Sequence, residues 1–232
     1  MTLAEAITQA RAGEMEGFVF LLHHTAPTVW LAASVLGCPQ VGTALTQIYR
    51  KALTAVSSLR SPSDLRVWLG RIAYGVLLEQ PDCEVAPLPV LTGETGEAYR
   101  VVAALPRQER TALLLLCAEG CSAPQAADIL SCPEIEIKRA MRRARQSVTE
   151  GMKAAGCEHV CNTAWLISVF ERMCETQRVH TEQLAVQVMD CVQSGAEFEE
   201  AQGADEQSAE TTRETEEKGG FFQKLFRSKR FG

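Results

Sequence analysis

The sequence predicts an all-α fold: two small helical domains joined by a Pro/Gly linker, the second a helix-turn-helix, followed by a helical extension and a disordered C-terminal tail. Three observations carry that prediction. Apolar residues make up 46% of the 232 residues and are mostly Ala, Leu and Val, with aromatics at 6%, a mix that suits helices better than a sandwich. Apolar positions recur at three- and four-residue spacing, in runs that Pro and Gly interrupt. Residues 121 to 148 read as two short helices around a tight break, and the second carries a dense row of arginines.

Residues 1–80 form the first block. "EGFVFLLHH" is apolar at helical spacing, and Thr25 with Pro27 predicts a break and a restart there, since Pro suits the first turn of a new helix. Gly37 to Pro39 ends that helix. The next carries Ala44, Leu45, Ile48, Ala52, Leu53 and Val56 on one stripe. After Ser61-Pro62 another helix buries Leu65, Trp68, Leu69, Ile72 and Val76. Residues 81–96, "PDCEVAPLPVLTGETG", hold three prolines and two glycines, which is linker chemistry. Extended at about 3 Å per residue, it lets two domains sit tens of ångströms apart.

The second block spans 97–153. Ser122 begins a capping box with Gln125, and Pro124 lies in the first turn, where its missing N–H costs little. Ala126, Ala127, Ile129 and Leu130 supply an apolar side, and Ala127 is small where two helices must approach closely. Ser131-Cys132-Pro133 breaks the chain, and Pro133 suits the start of the next helix. There Ile137, Ala140, Met141 and Ala144 face inward, while Lys138, Arg139, Arg142, Arg143 and Arg145 take the remaining surface. So many like charges at neighbouring helical positions are unfavourable for an isolated helix and point to an anionic partner. A helical extension covers 154–195, with Thr181 a cap that splits it in two. The acidic tract 196–220 cannot bury enough apolar surface to stay folded. The basic aromatic tail 221–232 sets Phe221, Phe222, Leu225 and Phe226 among Lys224, Arg227, Lys229 and Arg230.

The formal net charge of −6 misleads, because the charge is segregated. Ala196–Glu217 holds nine acids and one base, Leu105–Lys153 eight bases and six acids, and Lys218–Gly232 five bases and no acid. Glu5 and Glu14 sit where a signal peptide needs an apolar core, and stretches such as 29–38 and 111–118 are too short to span a bilayer. A cytoplasmic chain with reduced thiols is expected. Cys117 and Cys121, or Cys157 and Cys161 around His159, raise a metal site, but paired C-x2-C knuckles are missing and Cys117 continues an apolar helix. No metal and no cofactor are therefore assigned. His23, His24, His159 and His180 show no catalytic spacing and no phosphate-binding Gly loop occurs, so an enzyme is not expected.

Residues 104 to 145 resemble region four of the extracytoplasmic-function sigma factors without a gap. The matching positions are Leu105-Pro106, Arg110, Leu113 to Leu116, Glu119-Gly120, Ser122, Ala127, Ile129-Leu130, Ile137-Lys138 and Arg143-Ala144-Arg145. Ser131 departs from the family's turn Gly, and Pro133 from its common capping Ser. The first block is similar to region two, through "ARAGEMEGFVFLL" and a Trp-Leu-x-Arg-Ile-Ala signature at Trp68, Leu69, Arg71, Ile72 and Ala73. The family's acidic stretch, associated with clamping the polymerase core and opening the promoter, lines up with Val41 to Tyr49. Gly42 and Thr43 stand where its two acids would be, and Tyr74 and Gly75 replace an Arg and an Asn. The resemblance covers residues 3 to 152.

The resemblance implies a transcription initiation factor that binds promoter DNA through the helix-turn-helix and directs RNA polymerase core, with an anti-sigma-type regulator as a further partner. In a major groove, Glu134, Glu136 and Arg139 lie nearest base edges, with Lys138, Arg142 and Arg143 on phosphates and Arg145 in the same basic row. Arg107 and Arg110 begin an earlier helix and could reach the DNA backbone. Gln47, Tyr49, Trp68 and Arg71 are the candidates for core contact and promoter opening. Two alternatives stay open: a DNA-binding regulator that has lost core binding, and an interaction protein acting through its tail. That tail suits an anionic membrane surface, a partner's groove or the chain's own acidic tract.

Overall fold

The computed structural model describes residues 1–88, 90–157 and 161–199. Every regular element among them is helical, in the order α1 (Leu3–Arg11), α2 (Met15–Val35), α3 (Val41–Ala55), α4 (Leu65–Glu79), α5 (Gly93–Ala103), α6 (Arg107–Leu113), α7 (Ala123–Leu130), α8 (Glu134–Ala154), α9 (Thr163–Thr176) and α10 (Arg178–Ser194). A 3-10 turn, Val56–Ser58, follows α3, and a π-helical turn, Leu114–Ala118, continues α6. The all-α prediction therefore holds. The expected tail, with Phe221, Phe222, Leu225 and Phe226, and the acidic tract beyond Glu199 lie outside the described residues, as does His159.

The first block departs from expectation at Pro27, where no break occurs. α2 runs from Met15 through Pro27 to Val35 as one helix. An interior proline costs about 3 kcal/mol. Leu21 and Leu22 before it, and Val29, Trp30 and Leu31 after it, are all buried, at roughly 1.5–3 kcal/mol each. Burial on both sides outweighs the lost hydrogen bond. Because the helix is continuous, α2 is long and apolar enough to cross a membrane by length and composition, longer than the sequence suggested, yet over half of it is buried inside the protein.

α3 buries Ala44, Leu45, Ile48 and Ala52, as its stripe predicts. α4 buries Leu65, Leu69 and Val76, but Trp68 and Ile72 are half-buried and Tyr74 takes an inner place instead. Tyr74 thus fills with a ring the position where the resemblance expects Arg.

Across the linker, the two blocks do not stand apart. Residues 1–198 pack as one compact unit around a shared core. α5 begins at Gly93, inside the Pro/Gly stretch, with Glu94 in its first turn favoured by the helix dipole. The extension breaks at Gln177 rather than at Thr181. Thr181 is no cap: it is 1% exposed, and its hydroxyl donates back to the Arg178 carbonyl at 2.9 Å inside α10. The cap that does form is Asn162, whose side chain accepts the Trp165 N–H at 2.8 Å to start α9.

Candidate nucleic-acid interface

The helix-turn-helix is built by local chemistry. Ser122 and Gln125 close the capping box of α7: the Gln125 side chain accepts the Ser122 N–H at 2.9 Å, and the Ser122 hydroxyl accepts the Gln125 N–H at 3.4 Å. α7 ends at Ser131, whose φ of 50° and ψ of 43° are left-handed. It is the one non-glycine residue with positive φ among the described residues, and it stands where the resemblance expects Gly. The Cys132 N–H then reaches the Ala127 carbonyl at 3.0 Å. Pro133, extended, caps α8.

α8 buries Ile137, Ala140, Ala144, Val148 and Met152, and Met141 is half-buried. Its outer face carries Ile135, Lys138, Arg139, Arg142, Arg145 and Gln146, all exposed. Arg139 and Arg142 stand one turn apart. Among the described residues, Arg139, Arg142 and Arg145 make no ion pair, so their charge faces solvent. Lys138, Arg142 and Arg145 also line an open groove of about 580 Å³ with Leu116, Gln146 and Thr149. Arg142 and Arg145 belong to both row and groove, and Glu150 is the acid on the groove's lining.

Glu134, Lys138 and Arg143 on α8 have partners. Lys138 pairs with Glu134 at 2.6 Å, which occupies a carboxylate expected near base edges. The Arg143 Nε donates to Glu109 at 3.0 Å, and Glu109 is 6% exposed, so Arg143 ties α8 to α6. Glu136 faces a second cavity, of about 470 Å³, together with Tyr74, Arg107 and Ile129.

Arg107 and Arg110 turn inward, against the expectation that they reach DNA. Arg110 is 4% exposed, and its guanidinium donates to the Val35 carbonyl at 2.9 Å and to Asp82 at 2.6 Å. Arg107 donates to the Leu77 carbonyl at 2.8 Å. From the first turn of α6 both side chains reach the ends of α4 and α2, where their guanidiniums satisfy carbonyls.

Gln47, Tyr49, Trp68 and Arg71 are not brought together. Gln47 is exposed on α3. Tyr49 is buried, its hydroxyl 2.9 Å from that of Thr25, and burial raises its phenol pKa above the ordinary range. The Trp68 indole donates to the Ser58 hydroxyl at 2.9 Å. Arg71 reaches across to α7 and pairs with Asp128 at 2.5 Å.

A seam that no local pattern foretells joins α4 to the helix-turn-helix. Arg66 on α4 donates to the Gly120 carbonyl at 2.7 Å, and Gly70 packs under Ile129. Beside this seam lies Glu119, whose carboxyl burial pushes up to about 7, with the Arg66 guanidinium offsetting part of that. Burial also lifts the Cys117 and Cys121 thiols to about 11, which suits small buried hydrophobes rather than thiolate ligands. No signal in the sequence gave these pairings, because each joins residues more than fifty positions apart or depends on one that does.

Residues 95–148 match the sigma-70 region 4 family. No curated protein matches the chain. Among solved structures, the chain is similar in fold to CnrH, solved in complex with the cytosolic domain of CnrY. The TM-score is 0.50 at 21% identity, over 64% of this chain and 96% of that one. The α5–α8 geometry, the family match that falls within it and the ungapped motif run from Leu105 to Arg145 agree. Residues 95–148 therefore carry a sigma-70 region 4 domain, and the likeness to CnrH is one of fold.

Proposed function

We propose that this chain is a sigma-type initiation factor that grips promoter DNA with α8 and delivers RNA polymerase core to it. The observation that carries the reading is the exposed Arg139–Arg142 row on the second helix of a domain that matches sigma-70 region 4. An α-helix fits the major groove, and arginine suits both guanine edges and phosphates. Arg139 and Arg142 are proposed as the principal contacts, with Lys138 and Arg145 on the flanking backbone. Arg143 contributes through the placing of α8 on Glu109. Gln47 and the rest of the α3 surface are proposed for core contact. A regulator of the anti-sigma type is a further proposed partner, by analogy with CnrH and the cytosolic domain of CnrY.

The test is capture of core polymerase by the chain followed by run-off transcription from a cognate promoter. Core binding with specific initiation supports the reading. Promoter binding without core would favour a regulator that kept the helix-turn-helix alone, a second reading that Gly42 and Thr43 in place of two acids support.

A further inference from the structure

The extension bridges both halves of the molecule. α9 lies on the helix-turn-helix half: the Trp165 indole donates to Glu94 at 3.0 Å, and the Arg172 Nε to the Thr95 hydroxyl at 3.2 Å. After the break at Gln177, α10 crosses to the first block and packs on α2 and α3. It buries Leu184, Ala185, Val188, Met189 and Val192, and His180 sets its ring edge-on to Trp30 with centroids 5.9 Å apart.

The far end of α10 is fastened to α3. Arg50 donates to the Cys191 carbonyl at 2.9 Å, which also accepts the Gly195 N–H at 3.0 Å, and to the Ala196 carbonyl just beyond the helix. Gly195, left-handed at a φ of 74°, turns the chain back. Phe198 then lies on Gly42, where a Cβ would come within 2.1 Å of its ring. A side chain at position 42 therefore displaces the half-buried Phe198 ring.

We infer that residues 163–198 are a built-in cover: α10 and Phe198 occupy the Gly42 and Arg50 side of α3, beside the exposed Gln47 proposed for core contact, so the cover and core polymerase are mutually exclusive. The inference rests on the sigma-type reading. The cover hinges at Gln177 and latches through Arg50 and Phe198, so α10 can leave α3 while α9 stays on α5. Val179 and Val186, exposed on the outer side of α10, show that the cover is itself only half buried.

Gly42→Ala and Phe198→Ala break the same contact from opposite sides, and alanine at 42 adds no acid and favours helix. The full-length chain and both variants are compared by hydrogen exchange over 178–198 and by titration with core polymerase. The expected result is faster exchange in α10 and affinity for core raised about tenfold in both variants. In the intact chain, saturating core should likewise strip α10 of protection. Faster exchange with unchanged affinity overturns the proposal, as does an α10 that stays protected in the complex. If no form binds core, the cover is overturned too, while promoter binding, measured on a DNA fragment alone, leaves the helix-turn-helix reading standing.

Discussion

The outer face of α8 and the seam between α4, α6 and α7 are both rich in arginine, and they use it in opposite ways. On α8, Arg139, Arg142 and Arg145 project into solvent without an ion pair among the described residues. At the seam, Arg66, Arg71, Arg107 and Arg110 each hold a carbonyl or carboxylate of a distant element. A planar guanidinium serves both ends, because it can satisfy several acceptors at once or stay charged and available. Charge density along the chain does not separate the two uses. A long-range acceptor does.

The sharpest way to break this comparison is to truncate one arginine of each kind. Arg110→Ala leaves the Val35 carbonyl and Asp82 without their donor and should lower stability by about 2–4 kcal/mol. Arg139→Ala should change it by no more than about 0.5 kcal/mol. Urea unfolding of both variants checks this, and equal losses would erase the distinction.

The seam's acid gives the next effect. The Glu119 carboxyl has a folded pKa of about 7 against an ordinary 4.5, so the unfolded chain releases its proton first as pH rises. Its contribution to stability is greatest below about 4.5 and is lost between there and 7. Glu119→Gln should therefore match the native chain near pH 4.5 and exceed it by on the order of 2 kcal/mol at pH 8. Thermal melts across that range test it, and a constant offset between the two proteins would contradict it.

The smallest effect sits in the turn. Ser131 holds a left-handed conformation that costs a residue with a Cβ about 1–2 kcal/mol. Ser131→Gly relieves that but gains chain entropy in the unfolded state, so a net stabilisation of about 1 kcal/mol is expected. A raised urea midpoint with unchanged promoter affinity would confine Ser131 to the turn.

The same contrast explains what the sequence made legible. The helix-turn-helix could be read because its signals are local: Ser122 with Gln125, Pro124, Ser131 to Pro133 and the inward row at Ile137, Ala140 and Ala144 all act within a few residues. Pro27 misled because tertiary burial overrode a local breaker. Thr181 misled because its hydroxyl bonds within its own helix turn, a competing use that spacing does not distinguish from a cap. Arg107 and Arg110 looked like DNA contacts because nothing nearby in sequence foretold Val35, Leu77 or Asp82. Gly42 was read as a missing acid, and its partner Phe198 is distant along the chain, beyond the end of α10.

The central claim, that the solvent-facing arginines of α8 bind DNA, is tested most directly by the salt dependence of promoter-fragment binding. The native chain should lose affinity linearly in log–log form, and Arg139→Ala/Arg142→Ala should bind more weakly with a slope shallower by about 2. Unchanged affinity and slope in the double variant would contradict the claim.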